Sequence, residues 1–371
     1  MIKLLTVIGA RPQIIKAAAI SRAVREGFSD KIQEKILHTG QHYDANMSQV
    51  FFDELGIPAP DYNLGVGSGS HGVQTAKMIE GIEKVLLSEH FDGIILYGDT
   101  NSTLAGAVAA AKLQVPVFHI EAGLRSFNMT MPEEQNRIVC DHLSAILFAP
   151  TQTAVDNLKA EGLIDSKASF LDKKERRVIK SGDIMYDNAL YFSKLAEQKS
   201  TILSDCGVKV GNYILATVHR DFNTDDPVRI GNIFKALSQI AEEDQIPVIL
   251  PLHPRTRKYL PAQSSNRIKL IPPASFFDIL TLEKNAKIVM TDSGGVQKEA
   301  FFFSRPCVIL RPETEWVEIL DNKAGILSDA TPQRILDAYH TLCYGKILFP
   351  HLFGDGNAAF IILRSIASFF C

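Results

Sequence analysis

The segment TDSGGVQKE at positions 291–299 has the residue types of an anion-binding turn. It follows a short apolar run and opens a helical pattern, with Asp292 and Ser293 placed to cap the helix. The two glycines would let the backbone approach a ligand, and the N–H groups at the start of a helix favour an anion such as a diphosphate. Glu299 lies roughly one helical turn later, where it could accept hydrogen bonds from ribose hydroxyls. An ordinary capped helix start is the alternative interpretation.

A second candidate anion site follows the first apolar run of the chain. The turn Gly-Ala-Arg-Pro at 9–12 carries Arg11, and Pro12 favours the first turn of a helix. Lys16 comes close to one helical turn later on the same face. Two cations at the start of a helix indicate a phosphate or carboxylate ligand, although a solvated basic helix start fits the pattern equally well.

Two carboxylates and two histidines end apolar runs. Asp99 and Glu121 do so in the first half of the chain, and we expect them to converge because parallel strands end at one edge of a sheet. Glu121 also precedes Arg125, and a carboxylate at the end of a buried strand is costly unless it has a role. His219 and His253 end apolar runs in the second half, and we interpret them as substrate-binding or acid–base groups. A structural histidine is the alternative for each.

Further polar side chains follow the same pattern. Gln41 and His42 come directly after the apolar run that ends at Gly40, at the same expected edge of the sheet. Glu133 and Glu134 lie in MPEEQNR, a helix start opened by proline, where acidic residues also complement the helix dipole. A functional role and a purely electrostatic role both stay open for these two glutamates.

Short β-branched runs alternate with helix-compatible segments along the whole chain. Nearly continuous apolar strands separated by helices are typical of a parallel sheet that is covered on both faces. We predict strands at 2–9, 34–40, 93–99, 115–123, 145–151, 213–220, 246–254, 268–273, 286–295 and 306–311.

Two such sets of strands in 371 residues predict two doubly wound, Rossmann-like α/β domains that face a cleft. We place the first domain at 1–170 and the second at 180–350. The charged stretch 166–180 reads as an irregular boundary, and a C-terminal helix at 355–371 would complete the first domain. The polar residues described above cluster at the predicted carboxyl ends of the strands, where ligands bind in open α/β sheets.

Composition narrows the classes of partner. Hydrophobic residues make up 46% and charged residues 22%, a globular balance, and the net charge of −3 gives no basic footprint for nucleic acid. The 5 cysteines are scattered without a CxxC pair, which favours reduced thiols in a cytoplasmic protein over a disulfide framework or a zinc site. No apolar stretch approaches the roughly 18 residues of a membrane helix, so we expect no membrane insertion.

Taken together, these residues resemble the non-hydrolysing UDP-N-acetylglucosamine 2-epimerase family. The matching motifs run in order over nearly the whole chain. They are GARPQxxK (9–16), TGQHYD (39–44), YGDTxSxL (97–104), HIEAGLRS (119–126), PEEQNRxxxDxxS (132–144), APT (149–151), TVHR (217–220), LHPR (252–255), TDSGGVQKEA (291–300), RxxTE (311–315) and GDG (354–356).

The resemblance implies two Rossmann-like domains of the glycosyltransferase-B type, with the acidic catalytic groups in the first and UDP held mainly by the second. It implies anti elimination of UDP to a 2-acetamidoglucal and syn re-addition with C2 inverted from gluco to manno, for surface polysaccharide precursors. It also implies no redox cofactor, no metal and a homodimer. By position, the catalytic groups are Asp99, Glu121, Glu133 and His219, and the substrate contacts are Arg11, Lys16, Gln41, His42, Arg137, His253, Ser293, Gly294, Gly295, Glu299 and Arg311.

Four motifs depart from the pattern of typical UDP-N-acetylglucosamine members. The typical motifs GTRPE, RQT, HRxEN and TERPE read GARPQ, VQT, HRDFN and TEWVE here. Val73, Phe222 and Trp316 thus stand where the typical pattern has arginine, glutamate and arginine. The variant pattern is more similar to the sibling branch that acts on UDP-2,3-diacetamido-2,3-dideoxyglucuronate. A UDP-sugar-dependent glycosyltransferase of the same fold is the alternative function.

Overall fold

The computed structural model describes residues 1–40, 55–166, 176–252 and 265–370. The chain divides into two compact units, each with its own parallel β-sheet. The first unit comprises Met1–Asn188 and His351–Cys371, and the second comprises Ala189–Pro350. Within the described ranges, no helix has both the length and the apolar character needed to span a bilayer.

Seven parallel strands form the sheet of the first unit, in the order β3-β2-β1-β4-β5-β6-β7. They are β1 (Ile2–Ile8), β2 (Ile32–His38), β3 (Tyr62–Asn63), β4 (Gly93–Tyr97), β5 (Val117–Ile120), β6 (Ile146–Ala149) and β7 (Arg177–Lys180). The described helices are α1 (Arg11–Ala23), which continues as a π-helical turn (Val24–Phe28), α2 (His71–Ser88), α3 (Asn101–Lys112), α4 (Pro132–Leu143), α5 (Gln152–Ala160) and α6 (Ile184–Lys199). The strand order reverses between β1 and β4, so the sheet is doubly wound.

The sheet of the second unit has six parallel strands in the order β10-β9-β8-β11-β12-β13. They are β8 (Ile214–Thr217), β9 (Val248–Pro251), β10 (Ile268–Ile271), β11 (Ile288–Thr291), β12 (Cys307–Ile309) and β13 (Gly325–Leu327). The helices are α7 (Ile202–Asp205), α8 (Asp221–Thr224), α9 (Pro227–Glu243), α10 (Phe276–Asn285), α11 (Gly294–Phe302), α12 (Val317–Asp321) and α13 (Pro332–Tyr344).

Helix α9 shows how the sequence builds the core of the second unit. It begins after Asp226, whose carboxylate accepts hydrogen bonds from the N–H groups of Val228 (2.8 Å) and Arg229 (3.2 Å). Proline occupies its first helical position, where the missing N–H is tolerated. Its buried apolar side chains recur at helical spacing and pack against the strands, and they are Ile230, Ile233, Phe234, Leu237 and Ile240.

All ten strands predicted from the apolar runs are present. Several of them end earlier than predicted, so Asp99 and Glu121 lie in the turns that follow β4 and β5. The apolar pattern misses β3, β7 and β13, which are short. Strand β7 lies in the charged stretch expected to be irregular and pairs with β6 from Ile146↔Arg177 to Ala149↔Lys180. The first unit therefore continues through this strand to Asn188.

The helix α14 (Ala358–Phe369) belongs to the first unit, where it packs against α1. Asp187 anchors its start, because the carboxylate accepts hydrogen bonds from the N–H groups of Ala358 (3.1 Å) and Ala359 (2.8 Å). These N–H groups at the start of a helix otherwise have no partner inside the helix. A single buried carboxylate thus connects two parts of the first unit that are far apart in sequence.

We expect the stability of the protein to decrease as the pH rises from about 4 to about 6, because Asp187 loses its proton in that range. Burial raises the pKa of Asp187 from 3.8 to about 6, so the folded state binds this proton more tightly than the unfolded chain. The stabilisation from this proton is present below the pKa of Asp187 in the unfolded chain and is lost as the pH rises through its pKa in the folded state. It amounts to at most about 3 kcal/mol. Denaturant unfolding at stepped pH should show this loss, and Asp187→Asn should flatten it. An identical pH slope in the variant would contradict the assignment.

Candidate active site

Gln13 organises the turn that follows β1. Its side-chain oxygen accepts hydrogen bonds from the N–H groups of Gly9 (2.9 Å) and Ala10 (3.2 Å). Its amide nitrogen donates to the carbonyl of Tyr97 and to the hydroxyl of Thr103, each at 3.0 Å. Two N–H groups of the predicted anion turn at 9–12 are therefore bound inside the protein, and the exposed charge of this turn is carried by the side chain of Arg11.

Lys16 and Glu121 form an ion pair above the turn after β4. A Cβ atom added to Gly98 would lie 3.0 Å from the Glu121 Oε2 atom and 3.1 Å from the Lys16 Nζ atom. Gly98 has a φ of +61°, which glycine adopts readily. Strands β4 and β5 are neighbours, so Glu121 lies beside the turn that carries Asp99. Two of the three acidic residues predicted to be catalytic, Asp99 and Glu121, come together at one edge of the sheet.

Arg137 holds Asp99 in place from α4. Its guanidinium donates hydrogen bonds to the carboxylates of both Asp99 and Glu134. The side chain of Asn136 also donates to the main-chain carbonyl of Asp99 at 2.9 Å. Asp99 is thus fixed through its side chain and its backbone. The resemblance implies that Arg137 contacts the substrate. In the structure it is paired with the carboxylates of Asp99 and Glu134.

The two adjacent glutamates of α4 differ sharply in their surroundings. Glu133 is exposed, whereas Glu134 is buried and accepts hydrogen bonds from the N–H groups of Ser126 (3.0 Å) and Phe127 (2.9 Å). The residue pattern leaves the roles of both glutamates open and the resemblance singles out Glu133, although the spacing of Glu134 and Arg137 by one helical turn suggests a pair. The catalytic role of Glu133 stays a prediction.

Glu121 has a strained backbone. Its φ is +72°, in the left-handed region that a glutamate rarely occupies, and the conformation costs roughly 1–2 kcal/mol. The N–H groups of Glu121 and Ala122 both donate to the carbonyl of Phe148 at 3.1 Å, which helps to fix the turn. Such outliers persist where the surrounding structure determines them, and they cluster at functional sites.

In the second unit, Asp292 orients His219. The fully buried carboxylate of Asp292 accepts hydrogen bonds from the N–H groups of His219 (3.1 Å) and Arg220 (3.1 Å) and from the Asn223 amide (3.1 Å). The His219 Nδ1 atom lies 3.4 Å from an Asp292 oxygen, while its ring is half-exposed. An aspartate that orients an accessible histidine is a common arrangement in acid–base catalysis.

The capping roles predicted for Asp292 and Ser293 are wrong. Asp292 accepts hydrogen bonds from the loop after β8 instead of capping α11. Ser293 is the N-cap residue, but within the described structure its side chain accepts no hydrogen bond from the helix. The start of α11 therefore keeps the character of an anion site without a capping side chain.

The side chains of Arg311 and Glu315 lie at the start of α11. A Cβ atom added to Gly294, the first residue of the helix, would lie 3.6 Å from the Arg311 Nη1 atom and 2.3 Å from the Glu315 Oε1 atom. Arg311 and Glu315 form an ion pair at 3.1 Å. Gly295 is exposed and Glu299 is partly exposed on the same helix. The helix dipole and Arg311 favour an anion at this position, where the carboxylate of Glu315 lies closest to Gly294.

Val73, Phe222 and Trp316, which depart from the typical family pattern, lie in different environments. Trp316 is buried, and the Lys298 Nζ atom lies 4.1 Å from the centre of its ring, a cation–π contact. Phe222 is exposed and packs against the guanidinium of Arg229 at 5.3 Å. Val73 is exposed on α2. The predicted site residues Gln41, His42 and His253 lie outside the described residues.

Comparison with known proteins identifies the family. The family model described as UDP-N-acetylglucosamine 2-epimerase matches residues 27–367. The UDP-2,3-diacetamido-2,3-dideoxy-D-glucuronate 2-epimerase of Pseudomonas aeruginosa is 47% identical over 368 residues, which cover 98% of this chain and 99% of that protein.

Solved structures agree on the fold. The crystal structure of Methanocaldococcus jannaschii UDP-GlcNAc 2-epimerase in complex with UDP-GlcNAc and UDP has a TM-score of 0.84 and 40% identity, covering 98% of this chain and 99% of that chain. A UGT transferase of Siraitia grosvenorii in complex with UDP shares the fold alone, with a TM-score of 0.60 and 11% identity over 99% of this chain and 94% of that one. The expected α/β fold of the glycosyltransferase-B type is confirmed. The chain belongs to the UDP-N-acetylglucosamine 2-epimerase family of isomerases.

Proposed function

We propose that this protein inverts C2 of a UDP-linked 2-acetamido sugar by eliminating UDP to a 2-acetamidoglucal and adding it back. The observation that carries the proposal is the pair of carboxylates, Asp99 and Glu121, held at adjacent strand ends by Arg137 and Lys16. Family membership supports the same reaction class.

The elimination makes two demands on the protein. The proton on C2 is weakly acidic and needs a base, and the diphosphate leaves with the electron pair of the C1–O bond as the C1=C2 double bond forms. Asp99 and Glu121 are the candidate bases, and a carboxylate also stabilises the positive charge that develops at C1. Gly294 at the start of α11, with Arg311 beside it, suits the leaving diphosphate. His219, oriented by Asp292, is the candidate acid–base group of the second unit.

Proton NMR of UDP-sugars in deuterated water tests this proposal. Epimerisation through a glycal must exchange the C2 hydrogen with solvent, so the product should carry deuterium at C2. Conversion without any acceptor would also separate the epimerase from a glycosyltransferase of the same fold. Transfer of the sugar that requires an acceptor, with no exchange at C2, would contradict the proposal.

We further propose that the preferred substrate is the UDP-2,3-diacetamido uronate. The 47% identical relative that carries this name and the residues Val73, Phe222 and Trp316 support this choice. A uronate carboxylate needs a cation. Three arginines lie in the motifs of the site: Arg137, Arg220 and Arg255. Arg137 is already paired with two carboxylates, and Arg255 lies outside the described residues. The exposed Arg220 is therefore the candidate partner of the uronate carboxylate.

Steady-state kinetics with both substrates should show a far higher kcat/KM for the uronate than for UDP-N-acetylglucosamine. The resemblance implies that typical UDP-N-acetylglucosamine members carry an arginine near a second, effector-binding substrate molecule, and Val73 replaces that arginine here. The curves should therefore be hyperbolic. Arg220→Ala should lower kcat/KM for the uronate more than for UDP-N-acetylglucosamine. Efficient, sigmoidal turnover of UDP-N-acetylglucosamine with an inert uronate would contradict the substrate assignment. The homodimer, the absence of a cofactor and the role in polysaccharide precursor supply remain predictions from the resemblance. The cytoplasmic location remains a prediction from the scattered cysteines.

A further inference from the structure

His119 is a fully buried histidine that makes two hydrogen bonds inside the first unit. It lies on β5, two residues before Glu121. Its Nδ1 atom is 2.7 Å from an Asp141 carboxylate oxygen, and its Nε2 atom is 2.8 Å from the carbonyl oxygen of Gly98. A carbonyl oxygen can only accept a hydrogen bond, so Nε2 must carry a hydrogen.

The surroundings of Asp141 keep its carboxylate ionised. Besides His119, it is contacted by the Gly123 N–H group at 3.1 Å and by the Arg125 guanidinium at 2.8 Å. Burial disfavours the charge, but the hydrogen bond and charge of His119 and the charge of Arg125 outweigh it and lower the pKa of Asp141. Because the carboxylate accepts, the Nδ1 atom of His119 must also carry a hydrogen. The ring is therefore a positively charged imidazolium.

The pKa of His119 agrees with this assignment. Burial alone would lower it, but Cys140 and the carboxylate of Asp141 raise the pKa of His119 well above its ordinary value. A histidine that stays charged across neutral pH and is sealed from solvent is poorly suited to exchange protons with a substrate. Its role must lie in the contacts that it makes.

Those contacts join the two turns that carry the candidate catalytic carboxylates. His119 binds the carbonyl of Gly98, the residue before Asp99, and Asp141 binds the N–H group of Gly123, two residues after Glu121. Gly98, Glu121 and Gly123 all have left-handed backbones, with φ of +61°, +72° and +78°. Glycine adopts this conformation readily, but the glutamate keeps it only when neighbouring groups fix it.

We propose that His119 and Asp141 are positioning residues that set the relative placement of Asp99 and Glu121. The proposal rests on the proposed function, in which those two carboxylates act on the sugar. His119 acts as a permanent cation between two turns and takes no part in proton transfer. Arg125 contacts Asp141 and is itself held by two hydrogen bonds that it donates to Glu161, at 2.6 and 2.7 Å.

Nitrogen-15 NMR of histidine-labelled protein tests the charge state without any variant. The buried ring is identified by N–H hydrogens that exchange slowly with solvent. We expect both of its nitrogens to carry hydrogen, with no titration from about pH 6 to pH 9. A neutral ring, or a titration within that range, would overturn the proposal. This readout does not depend on whether the protein is an epimerase.

Kinetics test the positioning role. His119→Gln and Asp141→Asn should lower kcat by about 100-fold, the cost of small misplacements of reacting groups, while KM and UDP affinity change less than about threefold. Asp187→Asn is the matched control, because it also removes a buried carboxylate of the first unit that accepts hydrogen bonds from N–H groups. Those N–H groups belong to Ala358 and Ala359 and not to either turn. This variant should keep kcat. Unchanged kcat in the first two variants, or an equal loss in the control, would overturn the proposal. Failure of the proposed function would appear instead as no turnover by the parent protein.

Discussion

Glu121→Gln and Asp99→Asn should each lower kcat by about 100- to 10,000-fold, the range expected when an acid–base group is removed. Both substitutions keep the size of the side chain but remove the charge that Lys16 or Arg137 contacts. UDP should bind both variants with unchanged affinity, because the proposed diphosphate site lies in the second unit. Activity assays in parallel with UDP calorimetry check both halves of this expectation.

The control for these variants is Glu34→Gln. Glu34 is a partly buried glutamate of the same unit, and it accepts hydrogen bonds from the hydroxyls of Thr6 and Ser21, both at 2.6 Å. Burial raises the pKa of Glu34, so the loss of its charge is expected to cost less than at an ordinary carboxylate. We expect this variant to retain its activity. If Glu121→Gln and Asp99→Asn were as active as Glu34→Gln, the proposed chemistry would be wrong.

Gly294→Val should weaken UDP binding at least tenfold, which corresponds to roughly 1.4 kcal/mol. A Cβ atom at this position would lie 2.3 Å from the Glu315 Oε1 atom, so the Arg311–Glu315 ion pair would have to move. The side chain would also occupy the space through which a diphosphate approaches the N–H groups of α11. Calorimetry with UDP measures the loss directly.

Gly231→Val provides the matched control for this substitution. Gly231 lies on α9, and nothing comes within 4 Å of the Cβ atom that the substitution would add. We expect normal UDP affinity in this variant. A Gly294→Val protein that binds UDP as tightly as Gly231→Val would place the diphosphate elsewhere.

The apolar runs predicted the strands well because a parallel sheet covered on both faces needs continuous apolar residues. The runs of β4 and β5 also located Asp99 and Glu121, since neighbouring parallel strands end at the same edge. Strand β7, with the sequence Arg-Val-Ile-Lys, escaped prediction because it lies at the end of the sheet order and is only partly buried. Its apolar content is too low to distinguish it from the charged loop before it.

The partners of the charged residues were much harder to predict than their positions. Asp292 looked like a helix cap because caps are local, but it binds a loop more than 70 residues earlier in the chain. Arg137 looked available for substrate because its pairing with Asp99 spans 38 residues. The sequence pattern records spacing along the chain, whereas these ion pairs depend on which strands lie side by side.

The contact between Lys298 and Trp316 has a consequence for the evolution of this chain. Both side chains are buried, and the ammonium lies 4.1 Å from the centre of the indole ring. Restoring the arginine of the typical family pattern at 316 would bring a second cation close to Lys298 in a buried place, and like charges that are close together repel each other. We therefore expect the two positions to be epistatic, with arginine at 316 tolerated better when residue 298 is neutral or acidic.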